Sequence, residues 1–297
     1  MDRSYGSTTN QQPRPQPLPA VARQPIDPLA RRGIRQEVYL VGARGAGKTS
    51  VFNRVFKAME PREALFLRPS RESQIYDFSA FTDVRLIDYR APQQPGERLK
   101  PFEGLEFRNL SSLIVVFDIR ADRQYALMKD IAYAFVKAFQ ANPSIHLHMF
   151  LHKADDKSDV TKAEENTEIQ NMIRTAIDDI SNLSNDRELR RLLSLIQFHL
   201  TSVYDTTVHA AFSKVVERLI PQRVALQRLL DIFVSNSQLL RAFIFNTTYN
   251  LFVATDTTSP FDTLTYDMLM QYLLLLHGFR QRVLGPLKLS QHQFQPL

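Results

Sequence analysis

Cysteine and tryptophan are both missing from this chain of 297 residues. Without cysteine there is no disulfide, no thiolate zinc site, no iron–sulfur cluster and no thiol nucleophile. The lack also suits a reducing compartment. Long apolar runs are missing too. The best candidate, residues 268–276, is interrupted by Gln271 and reaches about half of the roughly 20 residues that a membrane span requires. Asp2 stands where an N-myristoylation signal needs glycine. A strongly basic folded body is also lacking. The net charge is +6, but six arginines (Arg3, Arg14, Arg23, Arg31, Arg32, Arg35) less two aspartates (Asp2, Asp27) put +4 on residues 1–36, leaving +2 for the other 261. That near-neutral remainder is no nucleic-acid signature, so direct binding of nucleic acid is not expected.

What is present falls into three stretches. Residues 1–35 hold six prolines with many Gln and Arg. Such a segment buries too little to offset its ordering entropy and is expected to be disordered. It reads as a solvated tail, with contact to anionic lipid or RNA as the alternative. The prolines oppose the amphipathic helix of a transit peptide. From residue 37 short apolar strands alternate with helices: strands at 37–41, 84–89, 112–119, 147–152 and 196–203, helices at 50–59, 121–140, 163–181 and 207–220. The run SLIVVFDI at 112–119 is the pattern of a strand covered on both faces. In the helix at 121–140, Tyr125, Met128, Ala132, Phe135, Val136 and Phe139 share one side. The alternation predicts an α/β fold with a mostly parallel sheet, whose ligands sit at the carboxyl ends of the strands. After Pro221 it stops. A helix at 224–234, strands at 241–245 and 250–254 and a helix at 263–282 predict a second, small α+β domain from residue 222.

The loop after the first strand reads Gly42-Ala43-Arg44-Gly45-Ala46-Gly47-Lys48-Thr49, followed by Ser50. It matches GxxxxGK[ST] in full, with a strand before it and a helix after it. Its glycines let consecutive backbone N–H groups point at phosphate oxygens, and the helix N-terminus adds positive potential. Lys48 would reach the β- and γ-phosphates, and the Thr49 hydroxyl would ligate Mg²⁺. Gly42, Arg44, Gly45, Ala46, Gly47, Lys48, Thr49 and Ser50 are therefore the candidate phosphate-binding residues.

A second candidate, His152-Lys153-Ala154-Asp155, follows the strand at 147–152. Guanine offers N1–H and N2–H₂ as adjacent donors. The Asp155 carboxylate can accept both, and adenine does not donate that pair. The Lys153 stem can cover the base face. Thr201-Ser202-Val203-Tyr204, at the next strand end, supplies a short loop to close over the base, with Ser202 and Val203 as nucleotide contacts. His146 and His148 alternate on a strand without an acidic third ligand, so a metal site there is not expected.

With these motifs the sequence resembles the Rag GTPases, specifically the Rag C/D branch and its fungal counterparts. The resemblance rests on LVGARGAGKTSV, PREALFL, LHKAD, FHLTSVYDTTVHAAFSKVVERLIP, LLDIFVSNS and LFVATD, and runs over about residues 36–265. Rag proteins characteristically carry HKxD where Ras-like proteins have NKxD. The resemblance implies a Ras-like GTP-binding domain at 36–221 and a roadblock-like dimerisation domain at 222–297. It implies GTP/GDP and Mg²⁺ as cofactors and a slow, regulatory GTPase activity. It also implies a heterodimer with a Rag A/B-type GTPase that relays amino-acid status to the target-of-rapamycin kinase complex. Such a dimer works at the cytoplasmic surface of the lysosome or vacuole, held by a scaffold complex, so membrane contact is expected only through partners.

The sequence departs from the family pattern in three places. Asp88-Tyr89-Arg90-Ala91-Pro92 fills the place of DxxG followed by Gln. Asp88 can still serve Mg²⁺, but Ala91 replaces the glycine, and Pro92 has neither an amide side chain nor an N–H. Ser70 is the nearest match to the Mg²⁺-ligating threonine of the first switch. Nucleotide binding is thus better founded than hydrolysis, and no catalytic residue is assigned. A nucleotide-holding scaffold and a P-loop ATPase or kinase stay open as alternatives. Finally, only 15 residues follow the helix ending at 282, too few for the three further strands of a complete roadblock-like domain. The second domain is expected to be incomplete, either truncated or divergent.

Overall fold

The computed structural model describes residues 35–67, 73–79, 81–90, 102, 104–122, 125–180, 186–258 and 263–284. Its centre is a six-stranded sheet. In chain order the strands are β1 (Gln36–Val41), β2 (Gln74–Ser79), β3 (Asp83–Asp88), β4 (Leu110–Asp118), β5 (His146–His152) and β6 (Ile196–Thr201). In space they run β2-β3-β1-β4-β5-β6. Only the β2–β3 pair is antiparallel. The helices are α1 (Lys48–Phe56), α2 (Tyr125–Ala141), α3 (Asp159–Ile180), α4 (Asp186–Leu195) and α5 (Thr207–Leu219), with a 3-10 helix at Pro61–Phe66.

Both faces of the sheet are covered because the middle of β4, residues 113–117, is apolar without a break. Ile114 and Val116 pack with Val51, Phe52, Val55 and Phe56 of α1 and with Val208, Phe212 and Val215 of α5. Leu113, Val115 and Phe117 point the other way, onto Met128, Ile131 and Phe135 of α2 and Ile169 and Ile173 of α3. Tyr125, placed with this core by its spacing, is instead exposed, and its hydroxyl donates to Asp179. The chain leaves β1 toward β3 on one side and later reaches β4 on the other. The loop after β1 therefore lies where the direction of winding reverses, the place where such sheets open a ligand crevice.

Beyond residue 221 follow α6 (Arg223–Ser237), the antiparallel strands β7 (Phe243–Asn246) and β8 (Leu251–Thr255), and α7 (Thr263–Leu284). β8 is buried throughout. Leu251, Val253 and Ala254 join the core cluster that also contains Phe212, Val216 and Leu219 of α5 and Leu230 of α6. The Phe252 N–H donates to Ser213 Oγ of α5 at 2.9 Å. At the hairpin tip, the Tyr249 ring lies 5.4 Å from Phe56 of α1 and 5.5 Å from Phe78 of β2. The described residues form one compact unit. The tail at 1–34 and residues 285–297, where no further strand was expected, lie outside the described residues. Among the described residues no helix is long and apolar enough to cross a membrane.

Candidate functional site

The carboxyl ends of three parallel strands share one rung: Asp118 of β4 pairs with His152 of β5, and His152 with Thr201 of β6. The loop from Gly42 to Gly47 arches over the same end. Two of its glycines are demanded by close approach. Gly42 has φ 149° and Gly47 φ 102°, in the region that side-chain-bearing residues avoid. A β-carbon on Gly42 would run into the Val116 carbonyl, and one on Gly47 into the His152 ring. The loop can lie this low on the sheet only with glycine at both positions.

Lys48 and Thr49 open α1. The Lys48 Nζ donates to the carbonyls of Gly42 at 2.7 Å and Ala43 at 3.3 Å. Burial lowers its pKa against the opposing pull of Asp88. Thr49 Oγ1 donates to Asp88 Oδ2 at 3.1 Å. Asp88, at the end of β3, is 2% exposed. Burial pushes its carboxyl up while Lys48 and Thr49 work the other way. Its Oδ1 has no hydrogen-bond partner among the described residues. A buried carboxylate oxygen without a donor, beside a hydroxyl, is a donor set that suits a hard, oxygen-seeking cation such as Mg²⁺.

On the β5–β6 side, His152 Nδ1 lies 3.1 Å from Thr201 Oγ1. Burial, with help from the Lys153 charge, pushes His152 down to about 4, so the ring is neutral near pH 7. Lys153 has φ 64°, a left-handed conformation that costs a non-glycine residue about 1–2 kcal/mol. Its Nζ donates to the Gly45 carbonyl at 2.8 Å and to Asp118 Oδ2 at 2.5 Å. Asp155 is held by Ser202, whose Oγ donates to Asp155 Oδ1 at 3.0 Å and accepts from the Tyr204 N–H at 3.1 Å. The Ser202 N–H in turn donates to Thr207 Oγ1 at 2.8 Å.

These groups surround one cleft of about 450 Å³. Of the residues singled out by sequence, Gly42, Arg44, Gly45, Gly47, Lys48, Thr49, Ser50, His152, Lys153, Asp155 and Val203 line it. Ala46, Ser202 and Asp88 are buried behind its wall. Ser70, Ala91 and Pro92 lie outside the described residues. The cleft also takes in residues that the sequence did not single out as contacts: Leu65 and Leu67 around the 3-10 helix, Arg90, Arg120, Leu127 and Tyr204. Tyr204 belonged to the 201–204 segment, Leu65 and Leu67 to PREALFL and Arg90 to the 88–92 segment, but the sequence had assigned none of them a contact. Among the described residues no cluster of three or more His, Cys, Asp or Glu is arranged to hold a metal ion. His148 instead faces His199, with Nδ1 and Nε2 3.2 Å apart.

The site can therefore surround a phosphate chain at one end and present a fixed carboxylate at the other. Residues 37–273 match the Gtr1/RagA G protein conserved region. Ras-related GTP-binding protein C of Mus musculus is 34% identical over 236 residues, which make up 79% of this chain and 56% of that protein. GTP-binding protein gtr2 of Schizosaccharomyces pombe is 32% identical over 238 residues, 80% of this chain and 72% of that protein. Toc33 from Arabidopsis thaliana in complex with GDP and Mg²⁺ overlays 58% of this chain and 72% of its own with a TM-score of 0.40 at 14% identity. This chain thus spans little more than half the length of the mouse relative. The match to the conserved region takes in the phosphate loop, the HKAD segment, α5 and the hairpin beyond it, and the chain belongs to the Gtr1/RagA G-protein family.

Proposed function

We propose that this chain is a guanine-nucleotide switch of the Rag C/D type. The observation that carries the reading is the meeting, in one cleft, of the Gly42–Ser50 loop with Lys153 and an Asp155 carboxylate fixed by Ser202. The phosphates would lie on the loop amides and Lys48, and the guanine edge on Asp155. Bound Mg²⁺ supplies charge neutralisation at the β- and γ-phosphates. Thr49 and Asp88 would hold it, with Ser70 as a proposed third contributor. The roles proposed for the chain's parts are a tail at 1–35, the GTP-binding domain at 36–221 and a dimerisation domain at 222–297. The partner proposed is a Rag A/B-type GTPase. Together the two would relay amino-acid status to the target-of-rapamycin kinase complex at the lysosomal or vacuolar surface, attached through a scaffold complex. Support for a partner comes from Leu229, Ile232 and Phe233 on α6 and Met268, Tyr272, Leu275 and Phe279 on α7, all exposed in this chain. Titration calorimetry with GDP and ADP tests the base assignment. GDP should bind and ADP should not compete, whereas a preference for adenine would move the chain to another P-loop class.

A second reading, a nucleotide-holding scaffold with negligible hydrolysis, is favoured by the sequence Asp88-Tyr89-Arg90-Ala91-Pro92, which offers no amide side chain to orient a water. Single-turnover hydrolysis with the partner and an activating protein separates the two. Phosphate release at the rate of an activated GTPase would exclude the scaffold reading.

A further inference from the structure

We propose that Asp118 is a positioning residue for the nucleotide: its carboxylate holds the Lys153 ammonium against the phosphate loop and so ties the base-reading loop to the phosphate-binding loop. The inference rests on the guanine-nucleotide reading above. Lys153 Nζ has two acceptors, the Gly45 carbonyl at 2.8 Å and Asp118 Oδ2 at 2.5 Å. Gly45 is 108 residues away in sequence, so this single ammonium spans the two halves of the cleft. A neutral carbonyl alone is a weak anchor for a flexible lysine that water can solvate. The charge-assisted bond to Asp118 is the stronger of the two.

Asp118 is itself fixed. It ends β4 on the same rung as His152, the residue before Lys153. Its Oδ1 accepts the Arg120 N–H at 3.0 Å, which stops the carboxylate from turning away. The side chains of Lys153 and Asp118 are only 27% and 18% exposed, so water competes poorly. Burial works against the Asp118 charge, but Lys153 and the Arg120 N–H outweigh it and hold the carboxyl below its ordinary range. The Asp118 carboxylate therefore stays charged through neutral pH. It also matches the strained backbone of Lys153, whose left-handed φ of 64° needs restraint from elsewhere. Pairing further cancels the Lys153 charge, so its stem acts as a wall beside the base while Lys48 is left to meet phosphate.

The test is a double-mutant cycle on the full chain, read as the dissociation rate of N-methylanthraniloyl-GDP. Asp118→Asn should release the nucleotide roughly tenfold faster, the loss expected for one charge-assisted bond at a part-buried site. Lys153→Met should release it at least as fast. The double variant should be no faster than Lys153→Met alone, because the two residues act as one unit. Should Asp118→Asn fail to fold, Asp118→Glu replaces it. That variant keeps a carboxylate, and its release rate should lie within about threefold of wild type, well below tenfold acceleration. An unchanged rate in Asp118→Asn, a tenfold acceleration in Asp118→Glu, or effects that simply add in the double variant would each overturn the proposal. No binding of labelled GDP by the wild-type chain would instead remove the guanine-nucleotide reading, and this inference with it.

Discussion

Asp155 already has one oxygen engaged, by the Ser202 hydroxyl at 3.0 Å, so its orientation toward the cleft is fixed by a neighbour 47 residues away. Asp155→Asn keeps the size and that contact but removes the ability to accept two donors at once. Guanine should lose about 1–3 kcal/mol of binding, since one of its donors would be left unpaired. Xanthine nucleotides, which carry a carbonyl at position 2, should gain relative to guanine. Competition between GDP and XDP reads the change directly, and unchanged GDP affinity would exclude Asp155 as the base reader. Thr49 is the second residue to test, because its hydroxyl reaches Asp88 at 3.1 Å. Thr49→Asn should weaken GTP more than GDP, by roughly 1–2 kcal/mol, if Thr49 ligates the cation bridging the β- and γ-phosphates. Equal losses for both nucleotides would assign Thr49 to the fold. At this scale the legible part of the site was the local part. Residues 42–50 and 152–155 are contiguous motifs whose chemistry can be read in order. Asp118 was invisible because its role depends on a lysine 35 residues away and on which strand ends come level. Arg120 was missed because its place in the cleft depends on which strand ends come level, and Arg90, named within the 88–92 segment, had been given no contact.

Three buried histidines, His148, His152 and His209, and the partly buried His199 lie on β5, β6 and α5, and they give the fold a pH dependence. His152 and His199, on β5 and β6, and His209, on α5, are each pushed down to about 4, chiefly by burial. The charges of Lys214 and Arg218 add to the effect on His199, and Arg54 to that on His209. His148 is held well below its ordinary value by burial and by facing His199. A histidine of the unfolded chain takes up a proton near 6.5, while these stay neutral in the native state. Between about pH 4 and 6.5 the unfolded chain therefore binds more protons, so stability is full above that window and falls as the pH drops through it. Each such group can contribute up to roughly 1.4 kcal/mol per pH unit. Urea midpoints should therefore fall steeply from pH 7 to pH 5, and His199→Gln should flatten that slope. A midpoint independent of pH over this range would contradict the argument. Element by element, the sequence was most readable where burial was greatest. β4 announced itself by a nearly continuous apolar run, and α5 and α6 were placed to within a few residues. The α3 start was set at 163 by its apolar spacing, whereas the helix begins at Asp159 with a mostly exposed polar turn. β2 (QIYDFS) was not recognised, because as an edge strand it leaves Ile75 exposed and buries only Phe78. α4 was not recognised either, since its ten residues are dominated by charge.

Across the whole molecule, the hairpin of β7 and β8 is the part that its own segment cannot support. A two-stranded sheet is marginal in water by itself. Here β8 is buried along its full length, and what buries it is largely α5 of the preceding segment. Phe252 gives its N–H to Ser213 of α5, and Leu251 and Val253 share a cluster with Phe212 and Val216. Each of these apolar side chains is worth about 1.5–3 kcal/mol when fully buried. Cutting the chain at residue 221 removes that cover while leaving Leu229, Ile232 and Phe233 of α6 still facing solvent. The chain depends on its own α5 for β8, and the face formed by α6 and α7 is the part offered to a second chain. Hydrogen exchange separates the two dependences. In the full chain without a partner, the amides of residues 251–255 should be strongly protected. In isolated residues 222–297 the same amides should exchange at nearly the rate of an unfolded peptide. Adding a Rag A/B-type chain to the full protein should slow exchange on α6 and α7 and leave β8 as it was. Strong protection of 251–255 in the isolated, monomeric segment would mean that the hairpin needs neither α5 nor a partner, and protection of β8 that appears only on adding the second chain would move the interface from the helices to the sheet edge.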